Sequence, residues 1–332
     1  MIEIKKYCPD LDQLHIDFAS KYWTKKRRFT PEYIYWKFRG KHNENISSFI
    51  LAIHENKVIG QLGLIPVNVK IEDKIVDAQW ACDLMVDNDY RGSGVAKLLY
   101  DFAHNQKTLT LGSDPSSAAS KSMKKNGYQS LDGGWKLFFG IYIGEIFKLK
   151  KINFSFFNYI PNVFSIFFYV WGKLRVNKFK KIDIGQYHEL KKNNYNSSEI
   201  IYVIQDKEFI FWRCNSFKNY YNEVEIFRNN KNDFFSGFNN NGNFVITDYS
   251  SKNVIIFFDM ISQILFLYKK SGLRSIKFLN DTNKFSNLLR FIGFIKFRTR
   301  TEVVYFTNDK ELSKQIANKK FHYTYLDSDE NI

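Results

Sequence analysis

Leu84-Met85-Val86-Asp87-Asn88-Asp89-Tyr90-Arg91-Gly92-Ser93-Gly94-Val95-Ala96-Lys97-Leu98-Leu99 holds three pieces of local structure in succession. The run ending at Asp87 reads as a strand and Tyr90 to Gly94 as a glycine-bearing turn. Val95, Leu98, Leu99 and Phe102 then recur at helical spacing. The first amides of a helix have no intrahelical acceptor and point outward together, and the helix dipole adds partial positive charge there. Glycine lets the backbone approach an anion with no Cβ in the way. Such a turn suits a phosphate or pyrophosphate, and Arg91 and Lys97 add charge beside it. Two other phosphate loops do not fit. GxGxxG lacks its third glycine and its place after a first strand, and GxxxxGK[ST] is absent.

On the N-terminal side, Ile2 to Lys6 alternates as a short strand. Pro9-Asp10 opens a helix with Leu11, Leu14 and Phe18 on one face. Thr30-Pro31-Glu32 opens a second, with Thr30 as cap and Pro31 in the first turn, and it carries Trp36 and Lys37. Strands are expected at Phe49 to His54 and Val58 to Val69, about the turn Glu55-Asn56. A further strand runs from Asp77 to Asp87. On the C-terminal side come a strand at Thr108 to Gly112, a helix from Asp114-Pro115-Ser116 to Asn126-Gly127, and strand-like Tyr128 to Leu131 and Trp135 to Ile143. This order is an α/β plan with a mixed sheet.

A weak internal repeat extends the plan. Pro31-Glu32-Tyr33-Ile34-Tyr35-Trp36-Lys37 resembles Lys207-Glu208-Phe209-Ile210-Phe211-Trp212-Arg213, and Ile246-Thr247-Asp248 corresponds to Ala81-Cys82-Asp83. A helix at Ile255 to Ser271, a strand at Ser275 to Leu279, a helix at Thr282 to Phe291 and the Gly293-Phe294 turn complete the second copy. The expected organisation is two tandem α/β domains, each a mixed twisted sheet flanked by helices. The first spans 1–145, an aromatic and basic segment connects at 146–195, and a degenerate second copy spans 196–332.

The 332 residues carry a formal charge of +15, which attracts anionic partners without choosing among nucleic acid, acidic membrane and phosphorylated small molecules. Cys8, Cys82 and Cys214 show no metal-ligand or disulfide spacing, so no metal is expected. The N-terminus has no apolar signal-peptide core, which points to a cytoplasmic protein. The lysine-flanked stretch Ile152 to Trp171 is interrupted by Asn153, Asn158, Pro161 and Asn162. It reads first as a buried or domain-bridging segment and second as an interfacial membrane contact, not as a spanning helix.

Arg91-Gly92-Ser93-Gly94-Val95-Ala96 is similar to the Q/R-x-x-G-x-G/A motif of the GNAT acyltransferases. Arg stands first, Gly fourth and Ala sixth. The preceding strand Leu84-Met85-Val86 and the later Lys125-Asn126-Gly127-Tyr128 match the family's setting. The resemblance covers the first domain throughout, whereas the second resembles only the fold, with no such loop after Asp248. It implies a GNAT fold and coenzyme A or acyl-CoA as co-substrate. Amides from Arg91, Gly92, Ser93, Gly94, Val95 and Ala96 would hold the pyrophosphate. Main-chain groups of Leu84 and Val86 would meet the pantetheine arm, and the strand after Lys107 would splay away to form a slot. Ser113, Asp114 and Ser117 occupy places that often touch donor or acceptor.

Acyl transfer to an amine needs a neutral nucleophile and a donor for the developing oxyanion, here a backbone amide near Met85 or Val86. Asp83 is the candidate for binding or deprotonating the amine, since a carboxylate between Cys82 and Leu84 in an apolar setting would have a raised pKa. A structural hydrogen bond is its other reading. Met123 stands where many relatives have a tyrosine general acid, and Tyr128 is expected to pack in the core. Trp36 and Arg39 would line the acceptor pocket, with Arg39 toward a nucleotide phosphate. Trp80 would stack on a sugar or pack in the sheet. The six histidines form no triad-like context.

Tandem chains of this plan resemble bacterial transferases that acylate nucleotide-linked amino sugars, such as dTDP-3-amino-3,6-dideoxyhexoses, in surface polysaccharide (O-antigen, lipopolysaccharide) biosynthesis. Nucleic acid is not expected as a partner, and a weak membrane-surface contact through 152–171 is possible on composition. The alternatives are tRNA-dependent aminoacyl transfer of the peptidoglycan type, protein or small-amine acetylation, and a non-enzymatic membrane-surface module.

Overall fold

The computed structural model describes residues 1–23, 29–41, 44–152, 155–175, 179–192, 200–215, 223–250, 253–280, 286–317 and 319–327. In chain order the elements begin with β1 (Glu3–Tyr7), α1 (Asp12–Ala19), α2 (Pro31–Lys37), β2 (Ile46–His54), β3 (Lys57–Ile71) and β4 (Lys74–Val86). Next come α3 (Val95–His104), β5 (Leu109–Ser113), α4 (Ser117–Lys125), β6 (Gln129–Gly140), α5 (Ile143–Leu149), α6 (Val163–Leu174), β7 (Phe179–Lys181) and α7 (Ile184–Lys192). Then follow β8 (Ile200–Val203), α8 (Lys207–Asn215), β9 (Glu225–Asn229), β10 (Phe234–Asn240), β11 (Asn243–Ser250) and α9 (Val254–Tyr268). The last are β12 (Ser275–Asn280), α10 (Ser286–Phe291), β13 (Ile295–Phe306), α11 (Lys310–Ala317) and β14 (Lys320–His322).

Two compact units emerge. One comprises Met1–Asp132, Ser198–Ile204 and Glu302–Phe321; the other comprises Gly133–Ser197, Gln205–Thr301 and His322–Ile332. Both are discontinuous in sequence, unlike the contiguous segments divided at 145 and 195. The reason is pairing at a distance: Val303 to Phe306 of β13 pair with Thr110 to Ser113 of β5, and β8 pairs with Val69 and Lys70 of β3.

The first unit orders its strands β1-β2-β3-β4-β5-β13, antiparallel except for the parallel pair β4 and β5. Glu55 and Asn56 both take positive φ, 49° and 58°, and close the β2–β3 hairpin as a two-residue turn. Thr30 caps α2 by accepting from the Tyr33 amide at 3.4 Å. Helix α3 buries Val95, Leu99, Tyr100 and Ala103 against Ile50, Leu62 and Leu64 of β2 and β3. That packing brings the start of α3 to the end of β4.

The second unit orders its strands β7-β9-β10-β11-β12-β6, again antiparallel except for one parallel pair, β11 and β12. Its core is aromatic, with Phe139, Phe168, Phe257, Phe278 and Phe294 packed together. The two strand series thus share one sequence of strand polarities. Strand β6 runs unbroken where two pieces were expected, with Gly134 at φ 88° between them. The expected helix start at Thr282 lies outside the described residues.

The stretch expected to be buried or bridging is α6, and it is only half covered. Ser165, Phe168 and Gly172 face inward, while Val163, Ile166, Phe167, Val170 and Leu174 are exposed. Among the described residues no helix is long and apolar enough to cross a membrane.

Candidate functional site

Strand β4 ends at Val86, and a single 3-10 turn at Asn88–Tyr90 leads into the glycines. Asp87 fixes this turn by accepting from the Asp89 amide at 3.2 Å, and its own amide donates to Ile59 O at 2.8 Å. Gly92 and Gly94 lie at φ 85° and 91°, a region costly to any residue with a Cβ. A Cβ built at either position meets nothing within 4 Å, so the space in front of the turn is open.

Gly94 is the N-cap of α3 and offers no side chain to cap it. The first intrahelical bond runs from the Leu98 amide to Gly94 O at 3.1 Å. The amides of Gly92, Gly94, Val95, Ala96 and Lys97 donate to no protein group among the described residues. Ser93 turns its hydroxyl back to Tyr90 O at 2.6 Å, and Arg91 Nε reaches Val86 O at 3.4 Å. Lys97 is paired with Asp101 at 2.5 Å. Unbonded amides at a helix start, with room before them, fit a diphosphate. The contrast in the second unit is sharp. Asn253 caps α9 by accepting from the Ile256 amide, so that helix start is closed by its own side chain.

One turn earlier, β4 carries a bulge. Cys82 pairs with Gly63 and Met85 with Gln61, so two residues of β4 face one of β3. Asp83, in the bulge, has φ 51°. Its carbonyl accepts from Gln61 Nε2 at 3.2 Å. Because the Gln61 amino group is committed there, its oxygen faces His15, and His15 Nε2 donates to it at 3.1 Å. His15 is fully buried, and that burial lowers its pKa to about 4, only partly offset by the Gln61 bond. A neutral histidine thus props the glutamine that holds the bulge.

The Asp83 carboxylate meets Lys37 Nζ of α2 at 2.6 Å, with side chains 14% and 6% exposed. This corrects the apolar setting expected from Cys82 and Leu84. Leu84 and Val86 turn inward onto the core beneath α3, and Asp83 turns to an ammonium instead. Lys37 also lies over the Tyr33 and Phe38 rings, at 5.7 and 5.5 Å from their centroids.

The parallel pairing of β4 with β5 covers Ala78, Gln79 and Trp80 against Leu109, Thr110 and Leu111 and stops there. Strand β4 runs on to Val86, and residues 81–86 are all half-buried. The ladder therefore opens beside Leu84, Met85 and Val86, where an extended ligand has an edge to lie along. Ser113 ends β5 opposite Val303, and Asp114 (φ 40°) donates its amide to Glu302 O at 2.7 Å. Helix α4 starts at Ser117, capped by Ser116, rather than at Asp114. Burial works to raise the Glu302 pKa, but bonds from Lys124, Ser130 and Ser120 outweigh it and hold the carboxyl below the usual range. That carboxylate pins α4, and with it the Ser117 end, to β13.

Other expected residues fall elsewhere. Trp80 is 1% exposed and packs edge-on against Phe321, so it stacks on no sugar; its alternative reading, core packing, is the observed one. Trp36 is half-buried against Tyr33. Arg39, at φ 55°, donates Nη1 to Pro66 O at 3.2 Å, so part of the guanidinium is occupied by protein. Met123 is buried against Gly112. Tyr128 is buried among Tyr100, His104 and Phe306, and burial raises its phenol well above the ordinary value. Lys37 and Gln61 were missed as partners of Asp83, and His15 as the partner of Gln61. Lys37, Gln61 and His15 lie 46, 22 and 68 residues from Asp83, and no local pattern links them.

Residues 16–107 match the family model described as an acetyltransferase (GNAT) domain. No curated protein sequence matches the chain. Among solved structures, a GCN5-related N-acetyltransferase from Kribbella flavida aligns with a TM-score of 0.60 at 11% identity, covering 96% of this chain and 74% of that one. A probable N-acyltransferase from Enterococcus faecalis gives 0.59 at 12%, with 92% and 73% covered. Saccharomyces cerevisiae N-myristoyltransferase with bound myristoyl-CoA gives 0.59 at 14%, with 92% and 79% covered. At these identities the likeness is one of fold. Together with the match over residues 16–107, it makes that part of the chain similar to a GNAT acetyltransferase domain, within a fold shared with acetyl- and acyltransferases.

Proposed function

We propose that the protein moves an acyl group from acyl-CoA to the amine of a nucleotide-linked amino-deoxy sugar, of the dTDP-linked class, in surface polysaccharide biosynthesis. The observation that carries the transfer is the set of unbonded amides of Gly92, Gly94, Val95, Ala96 and Lys97, beside the edge of β4 that β5 leaves open. Acyl-CoA supplies the activated thioester. The loop amides bind its diphosphate, and the main chain at Leu84 to Val86 orients the arm along β4. A backbone amide near Met85 or Val86 stabilises charge on the carbonyl oxygen.

Asp83 engages the amine of the acceptor. Its carboxylate, 2.6 Å from Lys37 Nζ, is the group that binds the amine in this reading. Met123 and Tyr128 are both buried, which favours departure of the thiolate without help from either. Trp36, Arg39, Ser113, Asp114 and Ser117 remain the proposed contacts for donor and acceptor. The sugar-nucleotide reading rests on the resemblance noted for the sequence and on the +15 charge, which suits two anionic substrates. The second unit is read as a degenerate copy of the first: it repeats the strand polarities and a bulge next to Asp248, but not the open helix start.

The test is thiol release from a panel of acyl-CoAs in the presence of nucleotide amino sugars, amino-terminal or lysine peptides, and charged tRNA. Release driven by the sugars supports the reading. Release driven only by peptides, or transfer only from tRNA, overturns the acceptor while leaving the loop chemistry standing.

A further inference from the structure

Residues 146–182 contain eight basic residues (seven Lys and Arg175) and no acidic one. Within this run α6 is amphipathic the wrong way round. Its inner side presents Phe168 between the small residues Ser165 and Gly172, and a Cβ on Gly172 would stand 2.8 Å from Ser262 O of α9, so the two helices lie close there. Its outer side presents Val163, Ile166, Phe167, Val170 and Leu174, exposed at 68, 52, 44, 51 and 80%. The spacing i, i+3, i+4, i+7, i+11 makes this one continuous stripe. Tyr159, just before α6, is 82% exposed.

Cations border the stripe. Lys173 and Lys269 both stand over the ring of Tyr169 on α6, at 5.2 and 3.8 Å. Lys270 is also exposed, and so are Lys150 and Lys151 after α5. Two acidic groups of this unit are already engaged: Asp259 by Trp171 and Arg175 of α6 and its C-cap, and Glu145 by Lys148. A cavity of about 150 Å³ opens at the margin, between Ile166, Tyr169, Leu265 and Lys269.

We propose that this face of the second unit docks on an anionic lipid surface, with α6 lying in the interface plane. Aliphatic and aromatic side chains at the centre with lysines at the rim match the division of a bilayer into acyl boundary and headgroups. A nucleic-acid partner would leave the aliphatic stripe uncovered. At 12 residues α6 is too short to span, so the contact is peripheral.

Flotation of the full chain with vesicles of phosphatidylcholine, with and without phosphatidylglycerol, tests it. Wild-type protein should float with the anionic vesicles at least about tenfold better than with the neutral ones. Ile166→Asp with Val170→Asp should lower that partition by more than about tenfold. Lys173→Gln and Lys269→Gln should each lower it by about fivefold. All four positions are on the surface, so thiol release with soluble substrates should stay at the wild-type level, which verifies the fold. Absence of flotation, equal flotation with neutral vesicles, or undiminished flotation of the Ile166/Val170 variant would overturn the proposal. So would a wild-type dimer that the same two substitutions make monomeric without vesicle binding, which would assign the face to a second copy of the chain.

Discussion

Removing either partner of the Lys37–Asp83 pair should destabilise the protein far more than removing both. The two charged atoms are 2.6 Å apart, and the side chains are 6% and 14% exposed. Lys37→Met keeps the aliphatic packing on Tyr33 and Phe38 but takes the ammonium away from the Asp83 carboxylate. Breaking a buried pair in this way costs roughly 3–5 kcal/mol, and the partial exposure of Asp83 places the expected loss at the lower end, about 3 kcal/mol. Asp83→Asn tolerates φ 51°, since asparagine is at ease in the left-handed region, but takes the charge away from the Lys37 ammonium at a similar cost. The double variant is neutral at both positions and should lose only about 1 kcal/mol. Urea unfolding of the four proteins at pH 7 gives the cycle, with equal m-values required for the comparison. The coupling should be at least about 2 kcal/mol. Single losses that add to the double within about 0.5 kcal/mol would refute the ion pair as drawn. The same set separates fold from chemistry: the double variant should regain stability but not turnover, because the carboxylate that engages the amine is gone.

Three further outcomes follow from the geometry. Asp83→Asn should lower turnover at least about tenfold while leaving coenzyme A affinity unchanged, as measured by thiol release and by calorimetry; undiminished turnover removes Asp83 from the chemistry. Burial lowers the His15 pKa from 6.5 in the unfolded chain to about 4, so its contribution is complete above pH 6.5 and is lost as pH falls toward 4. That loss should reach about 3 kcal/mol at pH 4, and His15→Leu should flatten this part of a pH-dependent urea series. Trp80→Ala should cost about 3–5 kcal/mol through the cavity it leaves, while Trp80→Phe should lower stability without raising KM for the acceptor. A rise in KM confined to the acceptor would return Trp80 to the binding site.

What could be read from residues alone was whatever is encoded within about one turn or one strand. Gly92 and Gly94 announce positive φ, Thr30-Pro31 announces a helix start, and Glu55-Asn56 announces a two-residue hairpin, because each of these is a local backbone preference. The periodicity of Val95, Leu99 and Phe102 likewise named the helix that aims the loop. The partners of Asp83 were not legible. Lys37 reaches it from a helix 46 residues away, and the bulge that turns it toward Lys37 depends on register against β3. The orientation of Trp80 was ambiguous for the same reason: one residue of slip exchanges a sheet's two faces. The closing strand of the first unit was invisible because Glu302 lies 177 positions after Lys125, the end of α4, with nothing local to say which edge Glu302 to Phe306 join. Asp248 illustrates the limit from the other side. The repeat aligned it with Asp83, and both stand next to a strand bulge, yet Asp248 is bound by Tyr187 and Lys191 within a buried cluster of the second unit.

The central claim is that the amides from Gly92 to Lys97 hold the diphosphate of coenzyme A. Calorimetric titration of coenzyme A, and of pantetheine, which lacks the diphosphate, into wild-type protein and Gly94→Val tests it most directly. The account predicts that wild-type protein prefers coenzyme A by at least about a hundredfold, the worth of several amide bonds to an anion, and that Gly94→Val abolishes most of this preference while pantetheine binding is little changed. Coenzyme A binding to Gly94→Val with wild-type affinity would contradict it.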